Sequence, residues 1–67
     1  MTAILVRIEP NNMELIGKKL RLPGWRSCFL LVRDVGSHYI IGTIIDEEGR
    51  ALVHEARPFN EAWEIVK

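Results

Sequence analysis

Three side chains in this sequence, Cys28, His38 and His54, are of the types that act as nucleophiles, general bases or metal ligands. No two of them lie at the close spacing of a ligand pair, and no acidic partner or oxyanion loop can be identified for them. Cys28 stands in an apolar stretch, where a cysteine usually behaves as a small, inert hydrophobe. We therefore predict no catalytic residue, no metal site, no cofactor and no enzyme, with an active site shared at an oligomer axis as the only enzymatic alternative.

An acidic run, Asp46-Glu47-Glu48, precedes Gly49. Three consecutive carboxylates point in different directions, and no further hard ligand follows at the spacing of a calcium loop. The run is therefore interpreted as a hydrated turn.

Four basic residues, Lys18, Lys19, Arg21 and Arg26, lie close together beside Trp25. On a strand, Lys19 and Arg21 share one face and Lys18 lies on the other. Such a group is typical of a small barrel that binds single-stranded nucleic acid, with bases stacked on an aromatic side chain and phosphates neutralised by the basic residues. It is equally typical of an edge strand that its lysines protect from aggregation. We favour the edge strand.

Aromatic residues supply the other candidates for partner binding. Tryptophan and tyrosine dominate binding hot spots, and Trp25 follows a Pro-Gly turn. We expect Trp63 to plug one end of the core, whereas Trp25 fits an anchor and a plug equally well. The candidate partner-binding residues are Trp25, Tyr39, Lys19, Arg21 and Arg26.

Length and composition limit the class of protein. The 67 residues make one small domain, residues 1–67, and the hydrophobic fraction of 48% supports a real core. Nine basic and nine acidic residues cancel, so the broad positive field of a non-specific nucleic-acid binder is missing. One cysteine excludes a disulfide within the monomer, and no apolar run is long enough to span a membrane. We expect a cytoplasmic protein without a targeting segment.

Glycine and proline divide the chain into pieces of strand length. Two segments rich in Ile, Leu and Val, Cys28–Val35 and His38–Ile45, predict a hairpin whose Gly36-Ser37 turn places glycine at positive φ. The turn Asp46–Gly49 leads into a third strand, Arg50–Glu55.

Further strands are predicted at Lys18–Leu22 and at Thr2–Ile8, and Asn12 is expected to cap one helical turn over Met13–Ile16. The segment Asn60–Lys67 suits a short helix or a closing strand, and we favour the strand. The prediction is an all-β, SH3-like barrel of five to six short antiparallel strands with an extra N-terminal strand.

The chain from Gly17 to Lys67 resembles a group of small bacterial and prophage SH3-like barrel proteins, most of which have no assigned function. The resemblance implies a fold and no reaction, and Thr2–Pro10 lies outside it. It rests on Gly17–Trp25, the hairpin at Gly36, Gly42, the Asp46–Gly49 turn and Trp63-Glu64.

Both faces of the central hairpin are apolar, with Phe29, Leu31 and Val35 opposite Leu30 and Val32. Since a barrel buries only its inner face, the second face needs a cover: the N-terminal strand, a second copy of the chain or another protein. We favour a homodimer. The functional hypothesis is a non-catalytic interaction module with an accessory or regulatory role; the alternative is a small nucleic-acid-binding barrel that uses the basic group.

Overall fold

The computed structural model describes residues 5–59 and 61–66. It contains six β-strands and one short 3₁₀ turn at Met13–Leu15. The strands are β1 (Leu5–Arg7), β2 (Lys19–Arg21), β3 (Cys28–Val35), β4 (Tyr39–Asp46), β5 (Ala51–Pro58) and β6 (Ala62–Val66).

All six strands form one antiparallel sheet in the order β1-β6-β2-β3-β4-β5. Strands β2 to β5 follow one another as a meander. Strand β6 returns to pair with β2, and β1 is added on the far side of β6. The predicted all-β, barrel-like fold with an extra N-terminal strand is confirmed. In the part of the chain that is described the sheet stays open, with β1 and β5 as its edges; the predicted strand residues Thr2–Ile4 lie outside that part.

Two of the predicted turns have the geometry that their residues favour. The Trp25 N–H donates to the Leu22 carbonyl at 3.0 Å, and Gly24 between them has a φ of 96°, as the third residue of a type II turn requires. The Gly49 N–H donates to the Asp46 carbonyl at 3.0 Å, with a φ of 84° at Gly49. The expectation of a glycine-closed turn after β4 is confirmed.

The turn between β3 and β4 differs from the prediction by one residue. Gly36 donates its N–H to the Tyr39 carbonyl at 2.9 Å, so the two-residue loop is Ser37-His38 and not Gly36-Ser37. Gly36 is not among the described glycines with positive φ. The prediction placed the glycine in the loop, whereas it is the last residue paired across the hairpin.

The prediction for Val35 was also wrong. Regular alternation along the strand placed Val35 on the same face as Phe29 and Leu31. In the structure Val35 is 1% exposed and belongs to the core. A bulge between Val32 and Asp34 inserts one residue and turns the end of β3 over.

Both terminal segments follow the favoured interpretations. The Asn12 side chain accepts a hydrogen bond from the Glu14 N–H at 3.3 Å and caps the 3₁₀ turn. Residues Ala62–Val66 form a strand rather than a helix, while Asn60 and Lys67 are outside the described residues. Within residues 5–59 and 61–66, no helix has the length and apolar character needed to cross a membrane.

The core lies on the concave, inner side of the sheet. Trp63 of β6 is fully buried there, as we expected of a core plug. The core cluster consists of Ile8, Leu15, Leu20, Leu30, Val32, Val35, Ile40 and Trp63.

Gly42 of β4 allows β3 and β4 to pack closely in this core. A Cβ at this position would lie 2.7 Å from Leu30 Cδ1 and 2.7 Å from the Leu31 carbonyl oxygen. The carbonyl belongs to the backbone ladder and cannot move aside. We predict that Gly42→Ala lowers the free energy of unfolding by about 1–3 kcal/mol, measured by urea denaturation. Gly36→Ala is the matched control, because its Cβ would meet only the Tyr39 carbonyl at 3.4 Å; equal stability of the two variants would contradict the prediction.

Candidate interaction surface

Register and burial separate the two faces of the sheet. Along β4, Ile40 and Gly42 point inward and are buried, whereas Tyr39 and Ile41 point outward and are exposed. Along β5, Arg57 is paired with Ile40 and therefore also faces inward.

The outward side of β3, β4 and β5 is apolar. Ile41 and Tyr39 are 43% and 54% exposed on β4. On β3, the half-buried Phe29 and Leu31 lie opposite Ile45 and Thr43, whereas the exposed Asp34 lies opposite Ile41. Ile45 is buried because Phe29 and Ala51 flank it on the two neighbouring strands. We call the following residues the outer apolar face: Phe29, Leu31, Tyr39, Ile41, Ile45 and Ala56.

One polar pair interrupts this face. The Thr43 hydroxyl and the His54 Nδ1 atom lie 2.8 Å apart across the β4–β5 ladder. Thr43 is buried and His54 is exposed, so the imidazole satisfies a hydroxyl that water hardly reaches. The interruption therefore leaves no buried polar group unpaired at Thr43.

The N-terminal strand does not cover the outer apolar face. In the described residues, β1 lies beside β6, at the opposite edge of the sheet from β4 and β5. Of the three covers considered from the sequence, a second copy and another protein are therefore the two that remain.

The prediction that the basic residues protect an edge strand was wrong, because β2 lies inside the sheet and pairs with β6 on one side and with β3 on the other. The fold also divides the basic group. Lys19 and Arg21 share the outward side of β2, as expected, but Arg21 Nη2 lies 2.6 Å from the Glu64 carboxylate of β6. This hydrogen bond raises the pKa of Arg21 above its ordinary value. Lys18, Lys19 and Arg26 are exposed. The charge of Arg21 is thus compensated within the chain, whereas Lys19 points to solvent.

Trp25 packs against the buried Trp63. The two ring centroids are 5.7 Å apart at an interplanar angle of 86°, the edge-to-face arrangement that aromatic pairs favour. The Trp63 indole N–H is buried and has no hydrogen-bond partner among the described residues. Trp25 is half-buried, so it contributes to the core and also reaches the surface.

Arg57 of β5 joins this aromatic pair to two carboxylates. Its guanidinium carbon lies 5.9 Å from the ring centroids of both Trp25 and Trp63. The guanidinium also donates to Glu61 at 2.5 and 3.1 Å and to Glu55 at 2.9 Å. The hydrogen bonds to Glu61, and then those to Glu55, raise the pKa of Arg57. The contacts connect the edge strand β5 to the loop before β6, across the part of the sheet that no strand pairing closes.

The cluster of Arg57, Glu55 and Glu61 was not predicted from the sequence. The alternation of Glu55 and Arg57 with His54 and Ala56 was the available signal, but β5 was predicted to end at Glu55. The strand in fact continues to Pro58.

The side chains of Cys28, His38 and His54 lie apart from one another in the fold. Cys28 is paired with Asp46 at one end of the β3–β4 hairpin, and His38 lies in the turn at the other end. His54 contacts Thr43 in the middle of the neighbouring ladder, while the His38 Nδ1 atom lies 2.8 Å from the Ser37 hydroxyl. In residues 5–59 and 61–66 no group of three or more His, Cys, Asp or Glu side chains is placed to hold a metal ion.

The acidic turn is held by its own first residue. The Asp46 carboxylate accepts from the N–H groups of Glu48 and Arg50, each at 2.9 Å, and from Arg50 Nε at 2.8 Å. The hydrogen bond from the Arg50 backbone is the largest of the causes that lower the pKa of Asp46. The carboxylate is thereby occupied within the turn.

No family model, curated protein or solved structure matches this chain. The resemblance to small prophage and bacterial barrels therefore stays a prediction.

The lowered pKa of Asp46 predicts an acid-dependent contribution to stability. A carboxyl whose pKa falls below 3.8 on folding stabilises the folded state above that pH, and the contribution is lost as the pH falls through the folded-state value. Asp46→Asn removes the charge and keeps one oxygen acceptor. We expect the variant to be less stable than the wild type near neutral pH and the difference to shrink below about pH 4 in urea titrations. A difference that is independent of pH would contradict this assignment.

Removal of Arg57 should loosen the contact between β5 and the tryptophans. Arg57→Ala leaves Glu55 and Glu61 without their shared cation and uncovers both indoles. We predict a loss of about 1–2 kcal/mol in the free energy of unfolding and a red shift of tryptophan emission. Arg50→Ala is the matched control, because Arg50 pairs with Asp46 and Glu48 and is 73% exposed. An unchanged emission spectrum in Arg57→Ala would contradict the proposed packing.

Proposed function

We propose that this protein is a non-catalytic interaction module that binds another protein chain through its outer apolar face. The exposed Ile41 and Tyr39, on the same side of the sheet as Phe29 and Leu31 of the neighbouring strand, are the observation that carries the proposal. A large apolar surface on a small domain costs solubility unless a partner covers it, and contiguous patches of this kind mark interaction sites.

The position of the charged groups supports a protein rather than a nucleic acid as partner. Lys19 is exposed on the outward side of β2, but its neighbour Arg21 is bonded to Glu64. Trp25, the aromatic side chain nearest to this group in sequence, is packed on Trp63 and Arg57. Lys18, Lys19 and Arg26 remain exposed, which is a small number of cations for neutralising phosphates, and stacking on Trp25 would compete with its internal contacts.

The proposed role is that of an accessory or regulatory component. Its partner is a second copy of the chain, another protein, or both at different parts of the same sheet. Binding to an apolar face needs no catalytic group, and shape and burial at Ile41 and Tyr39 would provide most of the affinity.

We predict that Ile41→Lys abolishes partner capture. A tagged chain is incubated with extract of the source cells, with and without nuclease, and retained proteins are identified by mass spectrometry. The wild type should retain a specific protein in both conditions, and Ile41→Lys should lose it at least tenfold, since a charge would be buried in the interface (about 1.4 kcal/mol per tenfold).

Met13→Lys is the control for this experiment. Met13 is 56% exposed on the 3₁₀ turn, away from β4, so an added lysine there should leave capture unchanged. Loss of all retained material on nuclease treatment would favour the nucleic-acid alternative, in which case Lys19→Ala should reduce binding. Equal capture by wild type and Ile41→Lys would overturn the proposal for the outer apolar face.

A further inference from the structure

We propose that the outer apolar face packs against the same face of a second copy of this chain, with a two-fold axis along β4. In this arrangement Asp34 of each copy lies beside His54 of the other. The inference rests on the proposed function and deepens it, because it names the partner that covers the face. It is carried by the positions of one acidic and one basic side chain, by their free atoms and by the area of the face.

The acidic and the basic side chain lie on opposite sides of β4. Asp34 of β3 is paired with Ile41, and His54 of β5 is paired with Thr43, two residues farther along β4. The acid is therefore at the β3 side of the outer apolar face, and the imidazole is at the β5 side. A surface with this arrangement is complementary to itself when a second copy is turned over about β4.

Each of these two side chains has one polar atom left for a partner. The Asp34 Oδ1 atom accepts from the Val35 N–H at 2.9 Å, and the His54 Nδ1 atom lies 2.8 Å from the Thr43 hydroxyl. Neither the Asp34 Oδ2 atom nor the His54 Nε2 atom has a hydrogen-bond partner in residues 5–59 and 61–66. Both side chains are exposed, so these two atoms are accessible to a second chain.

The direction of the axis decides which groups meet. Sheets that pack face to face keep their strands within about 30° of each other, so the two-fold axis runs nearly along the strands or nearly across them. An axis along β4 lays β3 of each copy over β5 of the other and brings Asp34 within one residue pair of His54. An axis across the strands lays β3 over β3, which brings the two acids toward each other. Like charges that face each other across an interface oppose binding, so the axis along β4 is favoured.

The area of the face suits a dimer that dissociates on dilution. β3, β4 and β5 have eight residues each, and at standard strand spacings they cover about 14 Å by 26 Å, or roughly 370 Å² in projection. Two such faces offer roughly 740 Å², and the protruding side chains of Tyr39 and Ile41 add to this area. A specific interface needs about 1,000 Å², so the pairing lies at the weak end of that range.

The other ionisable groups near His54 leave Asp34 as its counter-ion. On β5, Glu55 and Arg57 face inward and are bonded to each other. On β4, the outward neighbours of His54 are a threonine and two isoleucines. The exposed ionisable groups at the margin of the face keep their polar ends in water: Lys19, Arg33 and Tyr39. Proton uptake by His54 therefore strengthens its attraction to Asp34 of the second copy, and the dimer is tighter at about pH 6 than at about pH 8.

Sedimentation equilibrium of the purified chain tests the pairing at about 50 μM and about pH 6. The wild type should sediment with close to twice the monomer mass of 7.7 kDa and should dissociate on dilution. Ile41→Lys and Tyr39→Lys should be monomeric with native circular dichroism, because a lysine would be buried between the sheets. Leu5→Lys is the matched control, since Leu5 is 51% exposed on β1, at the opposite edge of the sheet.

A double-mutant cycle tests the contact between Asp34 and His54. Asp34→Asn and His54→Asn should each raise the dissociation constant of the dimer about three- to tenfold, and the double variant should be no weaker than the single ones. The wild type should dimerise at least about threefold more tightly at pH 6 than at pH 8, and His54→Asn should lose this difference. His38→Asn is the control, because the His38 Nδ1 atom also lies 2.8 Å from a hydroxyl, that of Ser37 in the turn.

Three results would overturn the inference: a monomeric wild type at pH 6, a dimer that Ile41→Lys leaves intact, and additive effects of Asp34→Asn and His54→Asn. Its failure is distinguishable from that of the proposed function. A monomer that captures another protein through Ile41 would overturn the pairing of two copies and leave the proposed function in place. A wild type that neither dimerises nor retains a protein would overturn both.

Discussion

Trp63 is fully buried on a strand that is hydrogen bonded on both sides, to β1 and to β2. Its indole fills the inner side of the sheet, and Trp25 meets it edge to face. A domain of this size buries a smaller fraction of its surface than a larger domain does, so one large side chain carries much of the core. The pairing of β6 with β2, the first strand of the meander, places Trp63 in the core. Both faces of the sheet depend on this pairing.

The outward side of the sheet is divided in its chemistry. Toward β1, β6 and β2 it carries Arg7, Lys19 and the bonded pair of Arg21 and Glu64. Toward β3, β4 and β5 it is apolar. The core already fills the inner side of the sheet, so the surplus apolar side chains of the sequence stay unburied on the outward side of β3, β4 and β5. The charged side chains keep the outward side of β1, β6 and β2 in contact with water.

Local features of the sequence determined most of the strands and turns correctly. The bounds of β3 were predicted to the residue because apolar residues run up to Gly36, and the turn after β4 follows from Asp46 and Gly49. The bulge that turns Val35 inward has no sequence signal of comparable strength. The contacts of Arg57 with Trp25, and of Arg21 with Glu64, join distant parts of the chain, so they depend on strand order rather than on spacing.

The late position of Trp63 in the chain has a consequence for biosynthesis. The meander from β2 to β5 leaves the ribosome before β6 does, and its inner side holds Leu20, Leu30 and Ile40. Until β6 emerges and pairs with β2, these side chains have no indole to cover them. The nascent chain therefore passes through an interval in which five of the six described strands have been made and Trp63 is not yet available to the core, and a chaperone that recognises apolar strands would find its substrate there.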